Sequence, residues 1–317
     1  MSFLGMDHGT REIRFYLIPE KTGFAVPRRV AAERGVLREI ERHVELSQIV
    51  LAGITHGMGD ALTSIMPAEK VRNRGVAPGD AGERTGGGER AYDELTSRLR
   101  AVVIPGLHRN LECLDARMRA LYSHMASAEK VSIAYDAYLK VRRKMGAESF
   151  IVSDVSSNTV SVAVDRGRIT GAIDACLGAI GMLHGPLDLE AMRRIDRGEL
   201  SANEAFSQAG VVKIRSFSDF DEILVPGDER AKLALEALLL SVEMEIRSLT
   251  ALVEPEAVVL TGAAGAHEAV FTMLRKRLRE VAPVLRIDAY SAARGSAEIA
   301  EAVHGGAREI LGIRVDL

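Results

Sequence analysis

Two α/β domains are what this sequence predicts, and three observations carry the prediction. The chain has 317 residues, more than the ~100–200 of one ordinary domain. Each half opens on short apolar strands joined at a polar turn, within 3–18 and again within 150–164. Each half then runs on into helical periods and further buried strands, the pattern of an internal duplication. The expected domains are 1–147 and 148–317, with a cleft between them and the last helix packing back at the domain interface.

Taken in order, Phe3–Met6 and Ile13–Ile18 are apolar, partly β-branched runs on either side of Asp7-His8-Gly9-Thr10 and read as a hairpin. Val36, Leu37, Ile40 and Val44 recur at helical spacing, predicting a helix over Val30–Leu46, and Ile49–Ile54 is a buried strand. The glycine- and charge-rich stretch 71–89 is expected to be an exposed, mobile loop. Ala101–Ile104 reads as a strand, followed by helices over Leu111–Met125 and Ala128–Met145. The second half begins with a meander of Phe150–Val152, Val160–Val164 and Arg168–Ile173. Segments Ala205–Val211 and Ser218–Glu222 are short or irregular, and Glu229–Leu252 has a sustained helical period. Ala257–Leu260 is a strand, His267–Val281 a helix, Leu285–Ile287 a strand and Ser296–Leu311 a last helix rich in Ala and Gly.

Composition bounds the function. A net charge of -3 with both signs mixed gives no electrostatic footprint for nucleic acid. No apolar run reaches the ~20 residues that span a bilayer, and the first residues lack a secretory pattern, so no membrane partner is expected. Cys113 and Cys176 stand far apart, which fits a reducing, cytoplasmic setting.

Three turns have the residue types that hold a nucleotide. At Gly5-Met6-Asp7-His8-Gly9-Thr10, glycine lets backbone N–H groups face a phosphate, and the Asp7 carboxylate at the strand end suits Mg²⁺ held through water. Asp154-Val155-Ser156-Ser157-Asn158-Thr159 repeats the plan, with Asp154 at the strand end. Thr261-Gly262-Ala263-Ala264-Gly265 links a strand to a helix with room for a flat ring or phosphate to approach the backbone at Gly262, Ala263 and Gly265. Each is also a good ordinary turn. There is no Gly-Lys-Ser/Thr P-loop and no dinucleotide-type glycine fingerprint.

In this order the three turns resemble the phosphate-one, phosphate-two and adenosine motifs of the acetate kinase, sugar kinase, heat-shock protein and actin superfamily. That resemblance implies two duplicated actin-like ATPase (ribonuclease H-like) domains around a nucleotide cleft, with ATP or ADP and Mg²⁺ as cofactors. At closer range, Gly53-Ile54-Thr55-His56-Gly57-Met58-Gly59-Asp60, Ser153–Thr159 and Gly171–Pro186 look like the archaeal family called methanogenesis marker protein 12. Ile173-Asp174-Ala175-Cys176-Leu177-Gly178 is similar to the acetate and butyrate kinase branch, which implies Asp174 as a catalytic base beside Asp154. By this resemblance Asp7 and Asp154 hold the metal, while Gly9, Thr10, Ser156, Ser157, Asn158 and Thr159 hold phosphates. Ser156-Ser157-Asn158 stands where active kinases of the superfamily usually carry glycines, which predicts a slow ATPase or a switch acting on a protein partner in the methanogenic machinery. The alternative is a small-molecule phosphotransferase. A second copy of the chain is the other partner considered.

His8, His56, His108 and His184 each lie near a glycine turn and are candidates to converge. Lys140, Arg142, Arg143 and Lys144 suit a helix C-terminus. Arg193, Arg194 and Arg197 suit a surface helix, or alternatively an anionic substrate. Met118, Met125 and Met145 read as core filling.

Overall fold

The computed structural model describes residues 1–9, 11–56, 61–76 and 87–317, arranged in two compact units. One unit holds Met1–Gly146, Gly167–Ile169 and Tyr290–Leu317; the other holds Ala147–Arg166 and Thr170–Ala289.

The first unit contains β1 (Ser2–His8), β2 (Glu12–Ile18), β3 (Thr22–Pro27), α1 (Arg28–Arg34), α2 (Leu37–Glu41), β4 (Ile49–Ile54), β5 (Met66–Pro67), α3 (Gly87–Arg98) and β6 (Ala101–Val103). The pair β7 (Leu107–His108) and β8 (His124–Ala126) follows, with α4 (Ala116–Leu121) between them and α5 (Ala128–Met145) after. The second unit runs β9 (Phe150–Val155), β10 (Thr159–Asp165), β11 (Arg168–Ile173, its first two residues counted with the first unit), α6 (Leu189–Asp196), α7 (Ala202–Ser207), α8 (Glu229–Leu249), β12 (Ala257–Thr261), α9 (Gly262–Gly265), α10 (Glu268–Leu278) and β13 (Val284–Arg286). Helix α11 (Ser291–His304) and the small pair β14 (Glu309–Ile310) and β15 (Ile313–Arg314) return to the first unit.

The two large sheets share one plan. The first is ordered β3-β2-β1-β4-β6-β5 and the second β11-β10-β9-β12-β13. In both, the opening strand is antiparallel to its hairpin partner and parallel to the strand that arrives later, β4 on β1 and β12 on β9. The duplication expected from the two hairpins is therefore a duplication of sheet topology. Strand alternation explains the burial. In β2, Ile13, Phe15 and Leu17 are fully buried while Glu12, Arg14 and Tyr16 between them are partly exposed. Opening strands β1 and β9 are buried along nearly their whole length, as strands with neighbours on both edges and helices on the faces should be.

Helix α11 lies against β1 and β4 at backbone distance. A Cβ on Gly5 would come within 1.8 Å of the Ala293 carbonyl oxygen, and one on Gly53 within 2.0 Å of that of Ser296. Small residues on the helix and bare glycines on the strands are what permit this approach.

Several expected elements differ. The helix predicted over Val30–Leu46 is two, α1 and α2, broken at Gly35 with φ +74°. Of Leu111–Met125 only Ala116–Leu121 is helical: Asp115 caps it by accepting the Arg117 N–H, and His124–Ala126 is a strand. The last helix starts at Ser291 and stops at Gly305, short of Leu311. Strand β3 was not anticipated. From the glycine-rich stretch, 77–86 lie outside the described residues, and Gly87–Glu89 open helix α3, whose Ala91, Tyr92 and Leu95 are buried. Met118 and Met125 are buried core residues, whereas Met145 is partly exposed at the end of α5.

Candidate functional site

Asp154 is the penultimate residue of β9, and its strand neighbours carry the rest of the site: β12 places Thr261 beside it, and the chain turns at Gly262. Gly262 has φ +88°, and a Cβ there would lie 2.2 Å from Asp154 Oδ1 and 2.4 Å from Ser156 Oγ. The second and third candidate turns are thus one cluster. Ser156 joins them, because its hydroxyl donates to Asp154 Oδ1 at 2.7 Å and accepts the Ala263 N–H at 3.2 Å. Gly265 packs on Val155, where a Cβ would meet the Val155 Cβ at 3.2 Å.

The turn Ser156-Ser157-Asn158 is fixed from its other side. Its carbonyl oxygens at Ser156 and Ser157 accept the N–H groups of Met182, Leu183 and His184, and Ser156 N–H closes the turn on Asn158 O. Thr159, fully buried, donates its hydroxyl to Ile180 O at 2.9 Å. Ser156 and Thr159, expected as phosphate donors, therefore spend their hydroxyl hydrogens within the protein. Asn158 Oδ1 is buried without a hydrogen-bond partner among the described residues.

Asp7 occupies the matching place in the first unit, penultimate in β1, with Arg14 opposite on β2 at 3.9 Å. Thr55, just past β4, corresponds to Thr261 and donates its hydroxyl to Met6 O at 3.0 Å. Gly9 follows β1 directly; Thr10 lies outside the described residues, as do Gly57–Asp60. His8 and His56 do converge, edge to face with ring centroids 4.8 Å apart, and Tyr92 lies 5.0 Å from His56. Arg28 Nη2 donates to His8 Nε2 at 2.8 Å. Burial, then the neighbouring His56 and Arg28, hold His8 down at about 3; burial, then Arg74, holds His56 at about 4. Both imidazoles are neutral at physiological pH. His108 is elsewhere, buried against the Leu62 carbonyl at 2.7 Å, and His184 packs against Phe206 with the rings tilted in the second unit. Among the described residues no group of three His, Cys, Asp or Glu is arranged to hold a metal.

Asp174 sits in the loop after β11, where its carboxylate accepts the Ala175 N–H at 2.7 Å. Beneath the loop lies a residue that the sequence reading passed over. Glu245 of α8 is buried, accepts the Ala179 N–H at 2.6 Å, and is pushed up to about 8 by burial. Ser241, one turn earlier, accepts the Ile180 N–H at 2.8 Å. Glu245 was hidden because it reads as one of the charges that interrupt an apolar helix. A signal existed: it sits on the face of Leu238, Val242 and Leu249, all buried. Arg28 and Thr55 were likewise passed over; each acts through a neighbour that only the sheet order supplies.

Similarity to known proteins agrees with this architecture. The family profile described as "Protein of unknown function (DUF1464)" matches residues 31–312. The UPF0285 protein of Methanocaldococcus jannaschii is 46% identical over 331 residues, covering 100% of this chain and 99% of its own. Among solved structures, a propionate kinase from Francisella tularensis superposes with TM-score 0.70 at 14% identity, covering 95% of this chain and 99% of that one. A ROK family glucokinase from Streptomyces griseus, solved with glucose and AMPPNP, gives TM-score 0.52 at 15% identity, covering 95% and 99%. At these identities the likeness establishes the fold, that of the actin-like ATPases.

Proposed function

The chain belongs to the DUF1464 family, which includes UPF0285 proteins of methanogenic archaea, and from its candidate site we propose that it binds ATP or ADP with Mg²⁺ and turns the nucleotide over slowly, as a switch. The observation that carries this reading is the Asp154–Ser156–Gly262 cluster, in which a hydroxyl bridges a carboxylate and the first amides of α9. The fit to the ligand rests on Gly262: with no Cβ there, Asp154 Oδ1 and Ser156 Oγ come within 2.2 and 2.4 Å of the Cβ position, which brings a carboxylate suited to a metal-bound phosphate directly against the start of α9.

Each unit would offer Mg²⁺ a carboxylate at the end of its opening strand, Asp7 in the first and Asp154 in the second, through the ion's water shell, and the ion would neutralise phosphate charge. The chain's own residues do the rest. The Ser156 hydroxyl ties the Ala263 N–H to the Asp154 carboxylate, and the Ser156–Asn158 turn, tied to 182–184, fixes the shape of the floor. Ser156 lowers turnover in this reading, since its side chain takes the space and the hydrogen bonds that a glycine would leave for phosphate oxygens. Slow turnover suits a protein whose nucleotide state is read by a protein partner.

A small-molecule phosphotransferase is the second reading, favoured by the Asp174 loop. Glu245 and Ser241 hold the amides of Ala179 and Ile180, so the loop that carries a candidate base is braced by α8. Calorimetry with MgATP and MgADP, followed by single-turnover hydrolysis, tests the first reading: binding with turnover well below ~1 s⁻¹ is expected. Absence of binding at millimolar nucleotide refutes it, and rapid transfer to a small carboxylate or alcohol favours the second.

A further inference from the structure

Helix α8 buries one face in the second unit's core through Ala234, Leu238, Val242 and Ile246, yet its opposite face is also apolar. Leu233 is 60% exposed, Leu240 52% and Met244 63%. At ~100° per residue these three and Ala237 fall within about 60° of one another, a single stripe along the helix. Isolated exposed leucines need no account, but an aligned stripe on a helix whose core face is already satisfied does.

We propose that this stripe is the contact face for a second copy of the chain, with the two α8 helices antiparallel about a two-fold axis midway between Ala237 and Leu240. The pattern is self-complementary about that axis. Leu233 of one copy then faces Met244 of the other, and each large Leu240 faces the small Ala237, knob to hole. The charges agree: Glu229 of one copy lies opposite the Ser248 end of the other, next to exposed Arg247, and the same pair recurs by symmetry at the far end. Arg247 is oriented there by Glu243 at 3.0 Å with its side chain 45% exposed. An anionic membrane is disfavoured as occupant because Glu236 and Glu243 border the stripe. A single-helix contact belongs to the small class of interfaces, below ~1,200 Å² in total, so association in the micromolar range is expected. The inference is independent of the nucleotide reading.

Sedimentation velocity of the full chain, from roughly 1 to 100 μM, reads the association. The parent should shift from monomer to dimer across the series. Leu240→Glu should remain monomeric, with association weakened more than tenfold and its melting temperature unchanged, since the side chain is on the surface. Glu229→Arg and Arg247→Glu should each weaken the dimer, and mixing the two variants should restore it, because in the mixed pair both contacts are again Arg to Glu. A parent that stays monomeric at 100 μM, a Leu240→Glu variant that still dimerises, or a mixture no tighter than either variant alone overturns the proposal. Should Arg247→Glu melt before it can be mixed, Leu240→Glu alone decides.

Discussion

Replacing Gly262 by Ala puts the nucleotide reading at its greatest risk. Two costs follow from the structure. At φ +88° a residue with a Cβ is strained by about 1–2 kcal/mol, and for a domain of this size each kcal/mol moves the melting temperature by about 2–4 °C. The strain alone should therefore separate variant from parent by about 2–8 °C without ligand, and the displaced Asp154–Ser156 cluster adds to that loss. The second cost falls on the site. The new Cβ would stand 2.2 Å from Asp154 Oδ1, where ordinary contact begins near 3.4 Å, so the carboxylate must move by roughly 1 Å. A displacement of that size costs about 100-fold in rate, and it also breaks the Ser156 bridge to Ala263. Single-turnover ATP hydrolysis and a melting series with MgATP check both parts. If the variant is destabilised as expected but retains the parent's nucleotide-induced shift and rate, Gly262 is only a strand-to-helix connector and the proposed site is refuted.

Three other outcomes are expected. Asp7→Asn should fold with a stability close to that of the parent, since the amide keeps the size of the buried carboxylate and can still accept hydrogen bonds, while Mg²⁺-dependent nucleotide affinity measured by calorimetry falls; a large loss of stability instead would make Asp7 a structural turn residue. Replacing Ser156 and Ser157 together by Gly should raise ATP turnover and cost about 1–3 kcal/mol of stability through the lost bridge to Asp154 and Ala263, read by hydrolysis and denaturant unfolding. Glu245 has a folded pKa near 8, above the unfolded value near ~4.3, so its stabilising protonated form is fully present below ~4.3 and lost as pH rises to about 8; Glu245→Gln should match the parent near pH 5 and exceed it by several kcal/mol near pH 9, and parallel pH profiles would show the carboxyl is not held protonated.

How much was legible in the sequence depended on whether the decisive contact was local. Strands β4 and β11 and helix α5 coincide with their sequence readings, because each is a continuous run whose period or apolarity is set by its own residues. Asp7 and Asp154 stood out because carboxylates at the ends of apolar strands are conspicuous, and the shared sheet order puts both in the same topological place. What escaped was written between distant segments. That Ser156 would be bound to Ala263, or Glu245 to the Ala179 amide, depends on which strand arrives beside which. Helix α3 was obscured because Gly87 and Gly88 argue for a loop, and the buried Ala91, Tyr92 and Leu95 that decide otherwise follow them. At Leu111–Met125 the apolar spacing was real, yet Asp115 could cap a helix only from its own position onward.

The backbone approach of α11 to Gly5 and Gly53 has a consequence for how the molecule is made. Strands β1 and β4 of the first sheet emerge from the ribosome early, but the surface that covers them comes from residues 290–317, synthesised after the whole of the second unit. The second unit, by contrast, is drawn almost entirely from one continuous stretch. Domains generally complete folding in the order their segments appear, and here that order places the second unit first. The first sheet must wait with one apolar face uncovered while more than half of the chain is translated. A nascent chain stalled before Tyr290 should therefore carry a finished second unit and an unfinished first, open to chaperones and proteases on the very strands that later hold Asp7.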